Sequence, residues 1–317
     1  MRICTITCSN ADNHGARLQA YALARYFQDQ GHDVRVIDYR PSYMNPIIKV
    51  FYWPGRSVKR WAKLILRLPQ RVRTLKRHKS FESFSCDHIP LTERVYHDVY
   101  ELRDNPPEAD IYIAGSDQIW NTYFPNGTDP AYYLDFGSAS IRRDSFAASF
   151  GTKGLRPGTE DFVRSNLARF QTITVRERSG LEILESLGCH GELKDDPVFL
   201  LSPHQWDMIA DGTGQGEDYV LVYDFFSDNR IKKIAKEYAK ERRLRIYAVC
   251  PYWQRYADKN FVTSGPETFV SLVKNASFVV TNSFHAIAFC KIYRRPFEFV
   301  ERPDGMNDRI LDFLDKY

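Results

Sequence analysis

The stretch "RICTITCSNADNHGARLQAYALARYFQDQGHDVRVIDY", residues 2–39, carries the pattern on which the fold depends. Its two ends, "RICTIT" and "HDVRVIDY", are typical of strands. Between them, apolar residues recur at helical spacing from Leu18 to Phe27, and Gly31 ends the helix. The stretch therefore predicts a βαβ unit whose helix begins at a glycine-containing turn. Because this turn lacks the GxGxxG fingerprint, the sequence does not predict a site for NAD or FAD.

The rest of the chain repeats the alternation of strands and helices. Further strands are predicted at "ADIYIAG", "DYVLVYDF", "RLRIYAVC", "SFVVTNS" and "PFEFV", and helices at 229–242, 266–275 and 284–293. Such an alternation indicates parallel sheets covered on both faces. Proline and glycine cluster in residues 200–219, and 317 residues suffice for two domains of about 150 residues each. We therefore expect an α/β protein with two domains, residues 1–203 and 204–317.

The composition is that of a globular protein, with 43% hydrophobic and 26% charged residues. No apolar run approaches the roughly 20 residues that cross a bilayer, and "MRICTITCSN" lacks the apolar core of a signal peptide. We therefore expect a cytoplasmic protein. The six cysteines form no CxxC pair and have no histidine at metal-ligand spacing, so we expect free thiols and no metal site.

Polar residues follow directly on predicted strands at four places. These clusters are Asn13–Gly15, Ser116–Gln118, Arg176–Arg178 and Asn282–His285. Ligands bind beyond the carboxyl ends of strands in open parallel sheets, so clusters from both halves should face one cleft. For any single cluster, ordinary helix capping is the simpler explanation. Taken together, the four clusters favour an active site between the domains.

Six motifs, in order along the chain, carry a resemblance to a known family. They are "NADNHGARLQAYALARYFQDQGHDVRVIDYRP", "ADIYIAGSDQIWN", "YYLDFG" with "RRDSFAASFG", "TVRERSG", "DDPVFLL" and "VVTNSFHAIAF". Their succession, from Cys4 to about Arg309, resembles the polysaccharide pyruvyl transferase family. The resemblance implies a glycosyltransferase-B-like architecture, in which two Rossmann-like domains enclose a cleft.

The resemblance also implies a reaction and its principal residues. Members transfer a pyruvyl group from phosphoenolpyruvate to a sugar of a cell-surface or extracellular polysaccharide, usually as a cyclic ketal. Phosphoenolpyruvate is then a substrate, and no cofactor is expected. The family's acid or base histidine corresponds to His285, and an arginine that holds the donor corresponds to Arg176. Histidine suits the role because its ordinary pKa of about 6.5 lets it exchange protons near neutral pH.

The remaining candidates for substrate binding lie in the same polar clusters. They are Asn13, Gly15, Asp117, Gln118, Asn282 and Ser283. The turns at Gly15 and Ser283 lead into helix N-termini, whose free N–H groups bind anions. Asp117 and Gln118 are candidates for hydrogen bonds to acceptor hydroxyls, although Asp117 is equally suited to cap the helix that follows it.

Two positions leave the donor site open to alternatives. Arg176 is also suited to an ion pair with Asp195 or Asp196. Some members of the family carry an arginine where this chain has Ser283. The candidates to replace that arginine are Arg142, Arg143 and Arg178.

The resemblance also bears on the end of the chain. Many members continue past "MNDRILDFLDKY", often with a terminal helix that crosses back to the first domain, so we expect the second domain to be shortened and to lack that helix.

Two alternative functions remain open. One is that of a nucleotide-sugar glycosyltransferase of the same fold, with Glu267 on the donor ribose. The other is a sugar-binding relative that has lost the chemistry. The motifs do not name the acceptor sugar.

A basic segment interrupts the first domain at about residues 49–85. Between Lys49 and Lys79 there are eleven lysines or arginines and no acidic residue. Apolar residues recur there at helical spacing, and Pro69 is expected to kink the segment or divide it into two helices. One interpretation is an amphipathic pair packed on the first domain with a solvated basic face. The other is peripheral contact with an anionic membrane that presents a lipid-linked acceptor. No nucleic-acid motif accompanies the charge, so nucleic acid is not an expected partner.

Overall fold

The computed structural model describes residues 1–44 and 58–316 of the chain. Its strands are β1 (Arg2–Ile6), β2 (Asp33–Tyr39), β3 (Leu91–Tyr96), β4 (Ile111–Ala114), β5 (Arg142–Ser145), β6 (Thr174–Val175), β7 (Glu192–Leu193), β8 (Tyr219–Tyr223), β9 (Arg245–Ala248), β10 (Lys259–Asn260), β11 (Phe278–Thr281) and β12 (Phe297–Phe299). Its helices are α1 (His14–Asp29), α2 (Val58–His88), α3 (Val99–Asp104), α4 (Glu160–Leu167), α5 (Arg178–Ser186), α6 (Pro203–Asp207), α7 (Asn229–Arg242), α8 (Pro266–Asn275), α9 (Phe284–Ile292) and α10 (Asp308–Lys316).

The main strands form two five-stranded sheets with the same topology. The strand order is β3-β2-β1-β4-β5 in the first sheet and β10-β9-β8-β11-β12 in the second. All of these neighbouring pairs are parallel, as Ile3 illustrates by pairing with Val34 on one side and Ile111 on the other. In each sheet the chain forms the central strand first, then adds strands towards one edge and finally towards the other edge. This is the doubly wound order of a Rossmann-like unit. The predicted α/β fold with parallel sheets is confirmed.

Helix α1 forms where the sequence predicts it, and local chemistry defines both of its ends. Asn13 caps the N-terminus, because its side-chain oxygen accepts a hydrogen bond from the N–H of Ala16 at 3.3 Å. Leu18 and Leu23 are buried in the apolar cluster that includes β1 and β2 residues. Gly31, just past the helix, has a φ of 81°, which glycine adopts without strain.

An apolar interface joins the two sheets. Tyr21 of α1 packs on Trp206 of α6 with ring centroids 5.7 Å apart, and Trp206 packs on Phe289 of α9 at 4.8 Å. All three belong to one buried cluster with members from both halves. Burial of this surface holds the loops after β1 and β4 close to those after β8 and β11. We propose residues 203/204, at the start of α6, as the domain boundary.

The last helix returns to the first half of the chain. A carboxylate oxygen of Asp312, on α10, accepts a hydrogen bond from the N–H of Arg178 at 3.0 Å. Phe313 stacks on Phe199, with ring centroids 5.3 Å apart. The expectation that this chain lacks a helix crossing back to the first domain is therefore wrong. The sequence pattern does not reveal this return to the first domain, because the segment that crosses is short and lies within the last residues of "MNDRILDFLDKY".

Helix α2 runs without a break through Pro69. Of the two alternatives expected at Pro69, a division into two helices is therefore excluded, and a kink stays a prediction. Proline removes one backbone hydrogen bond, and in an exposed stretch water can satisfy the freed carbonyl. The second half of α2 contacts both halves of the protein, since Arg77 donates to the carbonyls of Asp12 at 3.2 Å and Val262 at 3.4 Å. Residues 49–57 of the predicted insertion lie outside the described residues. Across the ranges that the structure describes, no helix is long and apolar enough to cross a bilayer.

Candidate active site

The first turns of α1 and α9 meet at the boundary between the two halves. Gly15 is the second residue of α1, and His285 is the second residue of α9. A Cβ atom added at Gly15 would lie 2.0 Å from Nδ1 of His285, far inside van der Waals contact. Glycine is therefore required for the imidazole to approach the backbone of α1 so closely. This contact places the predicted acid or base between the two sheets.

A cavity of about 300 Å³ opens beside this contact. Of the residues predicted for the site, Asn13, Asp117, Gln118, Ser283 and His285 line it. Its other lining residues are Phe225, Phe284, Arg302 and Arg309. Most of these residues follow the carboxyl ends of β1, β4, β8 and β11, where ligands bind in parallel sheets. The structure thus brings strand-end clusters of both sheets together, as the sequence predicts.

Next to the cavity, Arg176 is held by carboxylates. Its side chain is 2% exposed, and its guanidinium donates one hydrogen bond to Asp196 and another, of 3.1 Å, to Asp117. Burial disfavours the charge of Arg176, but the carboxylates of Asp196, Asp117 and Glu177 outweigh burial and raise its pKa. Arg176 and Arg178 both line a neighbouring cavity of about 210 Å³. The ion-pair interpretation therefore describes the contacts of Arg176 in this structure, and donor binding by its fork stays a prediction.

Asp196 also lies close to His285. Its Oδ2 atom is 3.6 Å from Nε2 of His285, slightly beyond hydrogen-bond distance. Burial alone would raise the pKa of the Asp196 carboxyl, but Arg176 and His285 outweigh burial and hold this pKa well below its ordinary value. The carboxylate is therefore charged at neutral pH and can stabilise an imidazolium form of His285. From the sequence, Asp196 is expected only as an ion-pair partner of Arg176.

Arg302 and Arg309 are cavity residues that the sequence did not single out. Arg302 donates to the carboxylate of Asp304 at 2.6 and 3.1 Å. Arg309 lies on α10, with Nη1 3.7 Å from Oδ1 of Asp117. Arg302 comes shortly after β12, so the rule that polar residues follow strand ends could have found it. Arg309 lies on a helix, and no local signal marks it.

The other predicted residues use their polar groups partly within the protein. Asn282 is buried, and its Nδ2 donates to Oδ1 of Asp224 at 2.7 Å, which supports the loop after β8. Substrate binding by this amide stays a prediction. Asn13 caps α1, as described above, and is also one of the residues that line the cavity. Gln118 accepts a hydrogen bond from Nδ2 of Asn121 at 3.4 Å.

Two of the arginines considered as replacements at Ser283 lie at the wrong end of the sheet. Arg142 and Arg143 occupy the amino end of β5, whereas the cavity lies at the carboxyl ends of the strands. Arg143 donates to backbone carbonyls of residues 134–138, and Arg142 pairs with Asp144 at 2.9 Å. Both guanidinium groups therefore bind partners within the first domain. Neither can replace the arginine that some family members carry at the position of Ser283.

One of three comparisons with known proteins supports the sequence resemblance. A family model described as polysaccharide pyruvyl transferase matches residues 13–301 of the chain. A comparison with curated proteins gave no match. Among solved structures, the chain is similar to UDP-GlcNAc 2-epimerase from Methanocaldococcus jannaschii, with 11% identity and a TM-score of 0.48, covering 99% of this chain and 92% of that one. It is also similar to E. coli heptosyltransferase WaaC, with 12% identity and a TM-score of 0.42, covering 100% and 99% of the two chains.

Proposed function

Since the chain belongs to the polysaccharide pyruvyl transferase family, we propose that it transfers a pyruvyl group from phosphoenolpyruvate to a sugar of a cell-surface or extracellular polysaccharide. The observation that carries the proposal is the position of His285. This side chain lies against Gly15 at the cavity between the two sheets, and the carboxylate of Asp196 lies behind it. A proton-exchanging group held beside an anion and facing a polar cavity is what addition to an enol phosphate requires.

In the proposed reaction, two hydroxyl groups of the sugar replace the phosphate of the donor. C3 of the enol gains a proton, so C2 becomes oxocarbenium-like and is attacked by the first hydroxyl. The bond between C2 and the phosphate oxygen then breaks, and the second hydroxyl closes the ketal. Of the two hydroxyl protons, one balances the proton gained at C3, and the other leaves with the phosphate.

His285 is the proposed acid and base in these steps. A carboxylate behind a catalytic histidine stabilises the imidazolium that forms when the ring takes a proton. Asp196 is placed for this role, 3.6 Å from Nε2. Arg176, hydrogen-bonded to Asp196, keeps that carboxylate oriented and charged. Arg176 therefore has a second proposed role, as a positioning residue, beside the donor binding that the resemblance implies.

We propose that the acceptor sugar binds at Asp117 and Gln118. Both residues line the cavity on the side of the first sheet. Burial would raise the pKa of Asp117, but Arg176, His285 and Arg309 outweigh burial and lower it. The carboxylate is therefore ionised at neutral pH and accepts hydrogen bonds from sugar hydroxyls.

The experiment that tests the proposal follows phosphate release from phosphoenolpyruvate with lipid-linked or nucleotide-linked sugars as acceptors. His285→Ala is expected to lower the rate by about 10²–10⁴-fold, the usual contribution of general acid–base catalysis, without unfolding the protein. The matched control is His190→Ala, because His190 is an exposed histidine. Full activity in a folded His285→Ala variant would falsify the assignment. A thermal shift with UDP-sugars and none with phosphoenolpyruvate would favour the glycosyltransferase instead.

We further propose that the enzyme works in the cytoplasm at the inner face of the membrane. Acceptors carried on lipid diphosphates are presented there, and a basic segment suits an anionic surface. The described part of α2 contributes to this segment and exposes both arginines and apolar residues. No cofactor or metal enters the proposed reaction.

A further inference from the structure

Arg309 is an incompletely used cation in the wall of the cavity. Its side chain is 9% exposed, and its Cζ atom lies 4.9 Å from the ring centroid of Phe284. Within the described part of the chain, its buried Nε atom has no hydrogen-bond partner. The 3.7 Å between Nη1 and Oδ1 of Asp117 is too long for a hydrogen bond. A guanidinium carries five N–H donors, so Arg309 has donors left for an acceptor that enters the cavity.

Arg176 and Arg302, the two arginines that lie beside Arg309 at this site, already have anionic partners. Arg176 donates to Asp196 and Asp117, and Arg302 donates to both carboxylate oxygens of Asp304. Arg309 is thus the cavity arginine with the least complete set of partners among the residues that the structure describes. An anion that binds in the cavity can reach its guanidinium without breaking a short ion pair.

We infer that Arg309 binds an oxyanion group of the donor, so that helix α10 completes the active site. The inference rests on the proposed function, in which the donor is phosphoenolpyruvate with one phosphate and one carboxylate. A guanidinium binds either group in a bidentate manner. Asp312 and Phe313, on the same helix, anchor α10 to the first half of the chain. Arg309 therefore has a fixed position at a cavity built from loops of both halves.

The free protein holds this charge at an energetic cost. Burial, together with the charge of Arg176, lowers the pKa of Arg309 to about 10, although Asp117 acts in the opposite direction. A bound dianion would favour the charged guanidinium and reverse this effect. A buried cation without a short ion pair stabilises the fold less than an apolar side chain would, which is typical of a residue kept for binding.

The test compares Arg309→Met and Arg309→Lys with the wild type. Isothermal titration with phosphoenolpyruvate should show binding about 10- to 100-fold weaker for Arg309→Met, the usual effect of losing charge-assisted hydrogen bonds. The KM for phosphoenolpyruvate should rise, whereas the KM for the acceptor should not change. Arg309→Lys keeps the charge and loses the fork, so it should recover part of the affinity. The midpoint of thermal unfolding of Arg309→Met should equal or exceed that of the wild type.

Arg242→Met is the control, because it removes an arginine whose side chain is 47% exposed at the end of α7. It should bind phosphoenolpyruvate as the wild type does. If the wild type binds the donor and Arg309→Met binds it equally well, the inference is wrong and the proposed function stands. If the wild type does not bind the donor, the proposed function fails and the inference fails with it.

Discussion

At the scale of the residue, Gly15 decides where His285 can lie. The sequence marks Gly15 as part of a helix N-terminus suited to anions, and the structure adds a steric requirement. The imidazole occupies the space of a side chain at position 15, with Nδ1 2.0 Å from where a Cβ would be. Any larger residue must displace the ring and so disturb the 3.6 Å approach of Nε2 to Asp196. The absence of a side chain at position 15 is therefore what allows His285 to lie between α1 and Asp196.

We expect Gly15→Ala to lose most of the transfer activity while it remains folded. The new methyl group displaces the imidazole, and a displacement of about 1 Å in a catalytic group can reduce a rate about 10²-fold. The measurement is kcat for phosphate release, with circular dichroism to confirm folding. Gly154→Ala is a matched control, because a Cβ at Gly154 meets nothing within 4 Å. Equal activity of the two variants would show that the contact with Gly15 does not position His285.

At the scale of the element, α2 presents two different surfaces. Phe81 and Phe84, in its second half, are fully buried, and Phe84 belongs to the apolar cluster with members from both halves of the chain. In its first half, Ile65 is 65% exposed and Leu66 is 82% exposed. Exposed apolar residues beside arginines form a surface suited to the boundary between headgroups and acyl chains. The same helix therefore joins the two halves of the protein at one end and faces solvent at the other.

We expect the wild type to bind anionic vesicles at low salt and to dissociate as salt rises. Each basic residue near such a surface contributes about 1 kcal/mol, and exposed apolar side chains add to it. The double variant Leu66→Ser/Arg67→Glu should lose most of the binding, measured by vesicle co-sedimentation, and keep activity on a soluble acceptor. Lys236→Glu, an equal charge change on the exposed face of α7, should bind as the wild type does. If the wild type does not bind anionic vesicles at low salt, the membrane proposal is wrong.

At the scale of the whole molecule, His14 links the two sheets. Its Nδ1 is 3.0 Å from the hydroxyl oxygen of Tyr223, and its Nε2 is 3.4 Å from the carbonyl oxygen of Ser264. The ring stacks on Phe269 at a centroid distance of 5.0 Å. Burial, with the charge of Arg77 added, lowers the pKa of His14 well below its ordinary value. The imidazole is therefore neutral in the interface at neutral pH.

This burial predicts a dependence of stability on pH. The folded-state pKa of His14 lies below the unfolded value of about 6.5, so the unfolded chain binds the proton first as the pH falls. The contribution of His14 is fully present above about pH 6.5 and is lost as the pH falls below it, on the order of 1 kcal/mol for each pH unit. Urea unfolding of the wild type and of His14→Gln should show this loss in the wild type only. His190→Gln serves as the exposed control, and equal slopes in all three proteins would contradict the prediction.

Much of the fold and part of the site could be predicted from the sequence. The strands and helices follow from the spacing of apolar residues, and the polar clusters mark the strand ends at Asp117 and His285. Helix α10 was missed because its return to the first half depends on contacts made by Asp312 and Phe313 with residues far away in the chain. Whether Pro69 divides its segment into two helices could not be predicted, because the outcome depends on whether the freed carbonyl is exposed to water.

The sequence by itself determined the alternation of strands and helices, the parallel sheets and the family, because these depend on patterns among neighbouring residues. The tertiary structure alone decided which side chains share the cavity. In the folded protein, Asn282 donates a hydrogen bond to Asp224, and Arg176 donates to Asp117 and Asp196. Arg309, on the last helix, lines the cavity. The physical reason is that a local pattern selects an element, whereas the partner of a buried charge is selected by packing between elements distant in the chain.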